Sequence, residues 1–180
     1  MIKRIVQLGL IIVLLAAGTL STVAAKPQPP PLEEIPIFPT RMNVVYKIRH
    51  NQVGVVQSGW GACTEGLVNE FIKASNFELE LLAEDGSLYL VLTPDDFDEL
   101  WSPIQSLGYT TEWCRGEQKT SFASWRVPLN DLPAGVYKLH FAGWIDHPLQ
   151  DGGDYDGDGT PDVVRPEDYG GETVNTIIVK

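Results

Sequence analysis

Beyond residue 43, apolar and polar positions alternate with a period of two along most of the chain. Val44, Tyr46 and Ile48 alternate with Val45, Lys47 and Arg49, the pattern of a half-buried strand. Val53 to Gln57 reads as its hairpin partner. Phe77, Leu79 and Leu81 alternate with Glu78 and Glu80, and Asp85-Gly86 supplies a turn after them. Tyr89 to Leu92 is short and wholly apolar, which suits a central strand. Ser124 to Val127 is a further strand. After the turn Leu132-Pro133-Ala134-Gly135, the run Val136 to Ile145 sets Tyr137, Leu139 and Phe141 against Lys138 and His140. Val174 to Val179 closes the pattern with β-branched residues.

The period changes in two places. Thr64 can cap a helix over Glu65 to Ala74, with Leu67, Val68, Phe71 and Ile72 on one stripe. Thr93-Pro94-Asp95-Asp96 is a second start signal, with Pro at the first helical position and acids in the first turn. Pro103 ends that helix early. Short strands joined by one or two short helices predict a mainly β fold, a β-sandwich spanning residues 41–180.

The N-terminus follows a different rule. Lys3 and Arg4 precede an apolar run from Ile5 to Leu20, and Val23-Ala24-Ala25 places small residues where a signal peptidase cuts. These parts predict a signal peptide over residues 1–25 and a secreted or cell-surface product. A membrane anchor is the rival reading, but the apolar run falls short of a full span. Residues 26–40 then form a Pro-rich extended arm. Its second half carries Ile35, Ile37 and Phe38. A free linker has no use for such residues, so they dock on the chain's own domain or on a neighbouring copy.

Charge narrows the partners. The net charge of −11 becomes −13 once Lys3 and Arg4 are removed. A protein this acidic repels nucleic acid and anionic lipid and attracts cations. Nine carboxylates and a single base, Arg165, fall between Asp146 and Glu172. Cys63 and Cys114 are the two cysteines. In an exported protein such a pair predicts a disulfide. The alternative, a nucleophilic Cys63, lacks a recognisable protease context.

Within the acidic stretch lies Asp151-Gly152-Gly153-Asp154-Tyr155-Asp156-Gly157-Asp158-Gly159-Thr160-Pro161-Asp162. Counted from Asp154, acids occupy positions 1, 3, 5 and 9, and Gly159 holds position 6. Alternate carboxylates turn inward, the glycine permits a sharp bend, and the Thr160 carbonyl adds a neutral oxygen. Asp154, Asp156, Asp158, Thr160 and Asp162 are therefore the candidate ligands of a Ca²⁺ ion. Arg165 stands where an EF-hand loop has its bidentate Glu, so Asp151, Glu167, Asp168 or Glu172 would have to complete the shell. A metal-free acidic turn is the plainer alternative. The motif resembles the calcium repeats of thrombospondin type 3 and, less closely, dockerin and EF-hand loops.

Two further stretches, Ser87 to Pro94 and Leu132 to Phe141 with its acidic loop and last Val-rich strand, resemble secreted Ig-like sandwich domains of bacteria. The layout of export signal, arm, sandwich and calcium loop is similar to that of the cannula subunits that form calcium-dependent extracellular tubes. Other constellations are weaker. His50, His140 and His147 lack metal-ligand spacing. Asp95, Asp96, Asp98 and Glu99 fit the first turn of a helix better than a hydrolytic pair. Trp60, Trp101, Trp113, Trp125 and Trp144 suit packing better than sugar stacking. The sequence thus predicts a non-enzymatic, calcium-binding structural or adhesive protein, a subunit of an extracellular assembly if the arm docks on a neighbouring copy. The alternative is a calcium-dependent carbohydrate- or ligand-binding module.

Overall fold

A computed structural model describes residues 31–114 and 119–180. The signal peptide assigned to residues 1–25 and the start of the arm lie outside the described residues. No described helix is long and apolar enough to cross a membrane.

The strands assemble as the alternation dictates, into two sheets closed over one core. The first sheet has the order β1 (Glu33–Ile37), β3 (Gln52–Ala62), β7 (Ser121–Leu129), β6 (Gln105–Ser106). The second has the order β2 (Val45–Ile48), β11 (Gly171–Val179), β8 (Gly135–Ile145), β4 (Ser75–Ala83), β5 (Leu88–Leu92). Along β7 every second residue from Ser121 to Leu129 is buried. Along β4, Phe77, Leu79 and Leu81 point inward while Glu78 and Glu80 face solvent. Val56, Trp125 and Val127 of the first sheet share a core with Leu79, Leu139, Phe141 and Ile177 of the second. The fold is thus mainly β and sandwich-like, as the pattern predicts.

The core is aromatic at its centre. Trp125 is completely buried and lies against Phe77, Phe97 and Phe141. Trp60 stacks on Phe71 with ring centroids 4.1 Å apart. Trp101 meets Phe71 and Phe77. Trp125 therefore lies inside the core and Trp60 and Trp101 pack against it, while Trp113 and Trp144 are more exposed.

Helix α1 occupies Glu65–Ala74, the predicted span, and Thr64 accepts a bond from the Leu67 amide at 3.3 Å. The carbonyl of its last residue finds two partners. Ala74 accepts from the Asp146 amide at 3.0 Å and from the Asn76 side chain at 3.3 Å. The helix thereby runs straight into β4 with no loop. Helix α2 is a single turn, Pro94–Phe97, that drives Phe97 into the core. The Asp96 carboxylate accepts bonds from the Thr93 amide and hydroxyl, both at 2.8 Å.

Three details depart from the sequence pattern. Val45–Ile48 and Gln52–Ala62 are consecutive but do not pair as a hairpin: β2 runs parallel to β11, and β3 pairs with β1 and β7. The short connection carries the chain across from one sheet to the other. β5, read as a central strand, is an edge strand, with Leu88, Tyr89 and Val91 exposed. Finally, Glu33–Ile37 of the arm is a strand of the chain's own first sheet, parallel to β3, with Ile35 opposite Gly54 and Ile37 opposite Val56. Ile37 and Pro39 are fully buried. The apolar half of the arm thus packs on its own domain.

Candidate metal centre

The acidic motif forms the loop of a small hairpin. β9 (Leu149–Gln150) and β10 (Val163–Val164) pair antiparallel, with Leu149 opposite Val164. This closes residues 151–162 into one turn. Leu149 is buried at the edge of the core, so the hairpin is fixed at its base.

The predicted disulfide is present. Cys63 and Cys114 are bonded, with Cα atoms 5.3 Å apart and a separation of 51 in sequence. Cys63 is thereby removed as a nucleophile. The bond lies directly under the acidic hairpin. The Cys63 amide donates to the Asp151 carbonyl at 2.7 Å. Cys114 bridges to Gly153, and the Asp154 amide donates to the Trp113 carbonyl at 3.3 Å. Gly152 has φ of +82°, and a Cβ there would come 2.8 Å from the Cys63 Cβ and 3.3 Å from its sulfur. Only glycine lets the backbone lie against the disulfide with this conformation. The Asp-Gly-Gly that opens the motif is therefore a packing signature, a role the sequence reading missed.

Inside the loop each acid has a defined place. The Asp154 carboxylate accepts from the Gly157 amide at 2.9 Å and the Gly159 amide at 3.3 Å. Asp156 accepts from the Asp158 amide at 3.0 Å. Asp162 accepts from the Tyr155 amide at 2.6 Å. Gly157 and Gly159 take φ of +76° and +106°, so the backbone doubles back at both. The result brings one ligand oxygen each from Asp154, Asp156 and Asp162 within 4.8 Å of one another. Every donor is a hard oxygen, which fits Ca²⁺ or Mg²⁺ and not a thiolate- or imidazole-seeking ion. Ca²⁺ takes six to eight such oxygens, so backbone carbonyls, second carboxylate oxygens or solvent would complete the shell.

The remaining candidates are placed elsewhere. The Asp158 carboxylate accepts from both the Thr160 amide and hydroxyl at 2.7 Å, and it is outside the three-acid group. Asp151 is buried; its carboxylate accepts from the Gly153 amide at 2.7 Å and from the Tyr155 hydroxyl. It braces the loop base instead of joining the group. Although the Tyr155 side chain is largely exposed, desolvation of its hydroxyl at the loop base pushes it above its ordinary pKa, helped by that bond and by the charges of Asp151 and Asp162. Glu167 and Asp168 lie beyond β10 in a turn closed by the Asp168 amide on the Arg165 carbonyl at 3.0 Å. They too are outside the group. Glu172 sits on β11 beside Glu78 and His140, on the outer face of the second sheet. Tyr155 also stacks on Trp113, with centroids 6.2 Å apart. Nothing in the spacing of the acids marks either aromatic residue; the position of Trp113 next to Cys114 is the one hint.

The fold and this loop define a two-sheet β protein whose acidic hairpin is braced by a disulfide. Comparison with protein families, with curated proteins and with solved structures finds no match to this chain.

Proposed function

We propose that this chain is a secreted calcium-binding β-sandwich protein with a structural or adhesive role in an extracellular assembly, and that it is not an enzyme. The observation carrying this reading is the convergence of Asp154, Asp156 and Asp162 in a loop whose base is fixed to the Cys63–Cys114 bond. A disulfide-braced loop holds its carboxylates close before any ion arrives, so little ordering cost falls on binding. Their mutual repulsion is relieved when a divalent cation enters. The disulfide itself accords with an oxidising, extracytoplasmic setting.

Calorimetric titration of the oxidised protein with Ca²⁺ tests the site. A saturable binding heat, lost in the Asp154→Asn, Asp156→Asn double variant, is the expected result. No heat, together with a melting curve that chelator leaves unchanged, would reduce the loop to a plain acidic turn. The second reading, a calcium-dependent carbohydrate- or ligand-binding module, has the partly exposed Trp113–Tyr155 pair beside the loop in its favour. Saccharide binding that requires Ca²⁺ and is lost in Trp113→Ala would move it to the front.

A further inference from the structure

The second sheet is open at both ends. Among the described residues, β2 pairs with β11 alone and β5 with β4 alone. The two edges carry opposite charge. Residues 41–50, which form β2 and its flanks, hold three charged side chains, Arg41, Lys47 and Arg49, all basic. Residues 75–100, which form β4, β5 and α2, hold eight acidic side chains and no basic one. On a chain of net charge −11, a basic edge facing away from an acidic edge is a strong polarisation of one sheet. Lys47 and Arg49 are exposed at the end of β2, and Glu84 and Asp85 are exposed at the turn that starts β5.

We infer that copies of this chain join edge to edge, β2 of one beside β5 of the next, so that the five-stranded sheet continues from copy to copy. Strand direction permits it. β2 runs parallel to β11, and each step from β11 to β8, β4 and β5 reverses. β2 and β5 therefore run in opposite directions, and a second copy placed in the same orientation meets the first as an antiparallel pair. The lengths match, four residues against five. Antiparallel pairing sets Lys47 and Arg49 beside Glu84 and Asp85, and Arg41 towards Asp95. It also sets exposed Val45 beside exposed Val91. Main-chain bonds supply affinity and the charges supply orientation and choice of partner. An acidic edge meeting another acidic edge is repelled, which forbids the two-fold alternative. The contact is head-to-tail, and with the ordinary strand twist it propagates as a filament.

This deepens the assembly role proposed above, and its test uses no calcium, so its failure is separate from failure of the metal site. Sedimentation velocity of the wild-type protein at low ionic strength should show concentration-dependent association that salt reverses. The Lys47→Glu, Arg49→Glu variant and the Glu84→Lys, Asp85→Lys variant should each stay monomeric alone. An equimolar mixture should associate again, because each contact then joins unlike edges, and this rescue also shows that both variants fold. In wild-type protein, concentration should protect the amides of Val45–Ile48 and Leu88–Leu92 from hydrogen exchange. A wild type that stays monomeric, variants that associate alone as the wild type does, or protection confined to other strands would overturn the inference.

Discussion

The side-chain amide of Asn175 holds Pro39 in the core: its nitrogen donates to the Pro39 carbonyl at 3.1 Å while its oxygen accepts from the Val44 amide at 2.9 Å. Asn175 is 1 % exposed, in the middle of β11. Thr173, two residues earlier on the same strand, donates its hydroxyl to the same carbonyl. Between Pro39 and Val44 the chain leaves the first sheet and enters the second, turning through Asn43 at φ of +57°. A crossing segment has no ladder to satisfy its polar groups, so a buried amide supplies the partners.

Asn175→Ala should therefore cost more than a surface deletion of the same size. It strands a backbone donor and halves the partners of a buried carbonyl, for a loss of about 2 kcal/mol. Urea unfolding with an unchanged slope and a lower midpoint is the expected outcome. A midpoint equal to wild type would mean that water takes over both bonds.

Gly170 and Gly157 both have left-handed backbones, φ +86° and +76°, but their surroundings differ. A Cβ on Gly170 would fall 1.8 Å from the Gly143 carbonyl oxygen, whereas a Cβ on Gly157 meets nothing within 4 Å. Gly157→Ala should cost about 1 kcal/mol, the backbone term alone. Gly170→Ala must also push β11 off β8 and should cost more than about 3 kcal/mol. Thermal melts of the two variants side by side decide it, and equal losses would contradict the close approach.

Reducing the disulfide, or replacing both cysteines with serine, should remove about 4 kcal/mol of stability, the loop-closure entropy for a separation of this size. The loss should also be local. Gly152 packs against Cys63, and Asp151 accepts its amide, so the acidic hairpin should be the first part to exchange its amides. Uniform protection across the reduced protein would show that the hairpin is held by β9 and β10 alone.

The carboxylates of Asp85 and Asp96 lie below their ordinary pKa of 3.8, because Ser87 and Thr93 respectively donate hydrogen bonds to them. A depressed carboxylate contributes stability that is complete above the unfolded-state value and disappears as pH falls through the folded one. The gap in melting temperature between wild type and Asp96→Ala should therefore be flat at neutral pH. It should narrow once the pH drops below about 4. A gap that persists unchanged into strong acid would assign the effect to packing.

Much of the fold was legible because local rules and burial agreed. Thr64 and the stripe from Leu67 to Ile72 mark α1, and the alternation of Phe77, Leu79 and Leu81 marks β4. The cysteine pair likewise gave its bond. The illegible parts are set by contacts distant in sequence. Nothing local in Glu33–Ile37, with Pro36 in its middle, announces a strand parallel to β3. Gly59 and Gly61 hide the second half of β3, although Gly59 lies under Phe122. Short apolar runs look alike at the centre and at the edge of a sheet, which is why β5 read as central. In the loop, spacing identified the acids but could not divide them, because Asp158 and Asp151 are drawn away by Thr160 and Tyr155.

That division gives the sharpest test of the loop. If spacing alone governed binding, Asp156→Asn and Asp158→Asn would weaken it equally, since positions 3 and 5 are equivalent in the motif. The geometry says otherwise. Asp156 places an oxygen with those of Asp154 and Asp162, and Asp158 spends its carboxylate on Thr160. An ion that binds only the folded state stabilises it by RT ln(1 + [L]/Kd), about 2.7 kcal/mol at a hundred times Kd. Asp156→Asn should remove most of the calcium-dependent rise in melting temperature. Asp158→Asn should keep most of it, while lowering the melting temperature with and without Ca²⁺ by a similar small amount. Mg²⁺ should raise the wild-type melting temperature less than Ca²⁺, because it demands a smaller and stricter octahedral shell. Melting curves of the three proteins in chelator, Ca²⁺ and Mg²⁺ make the comparison. Equal loss of the calcium response in both variants would mean that Asp158 leaves Thr160 to join the ion.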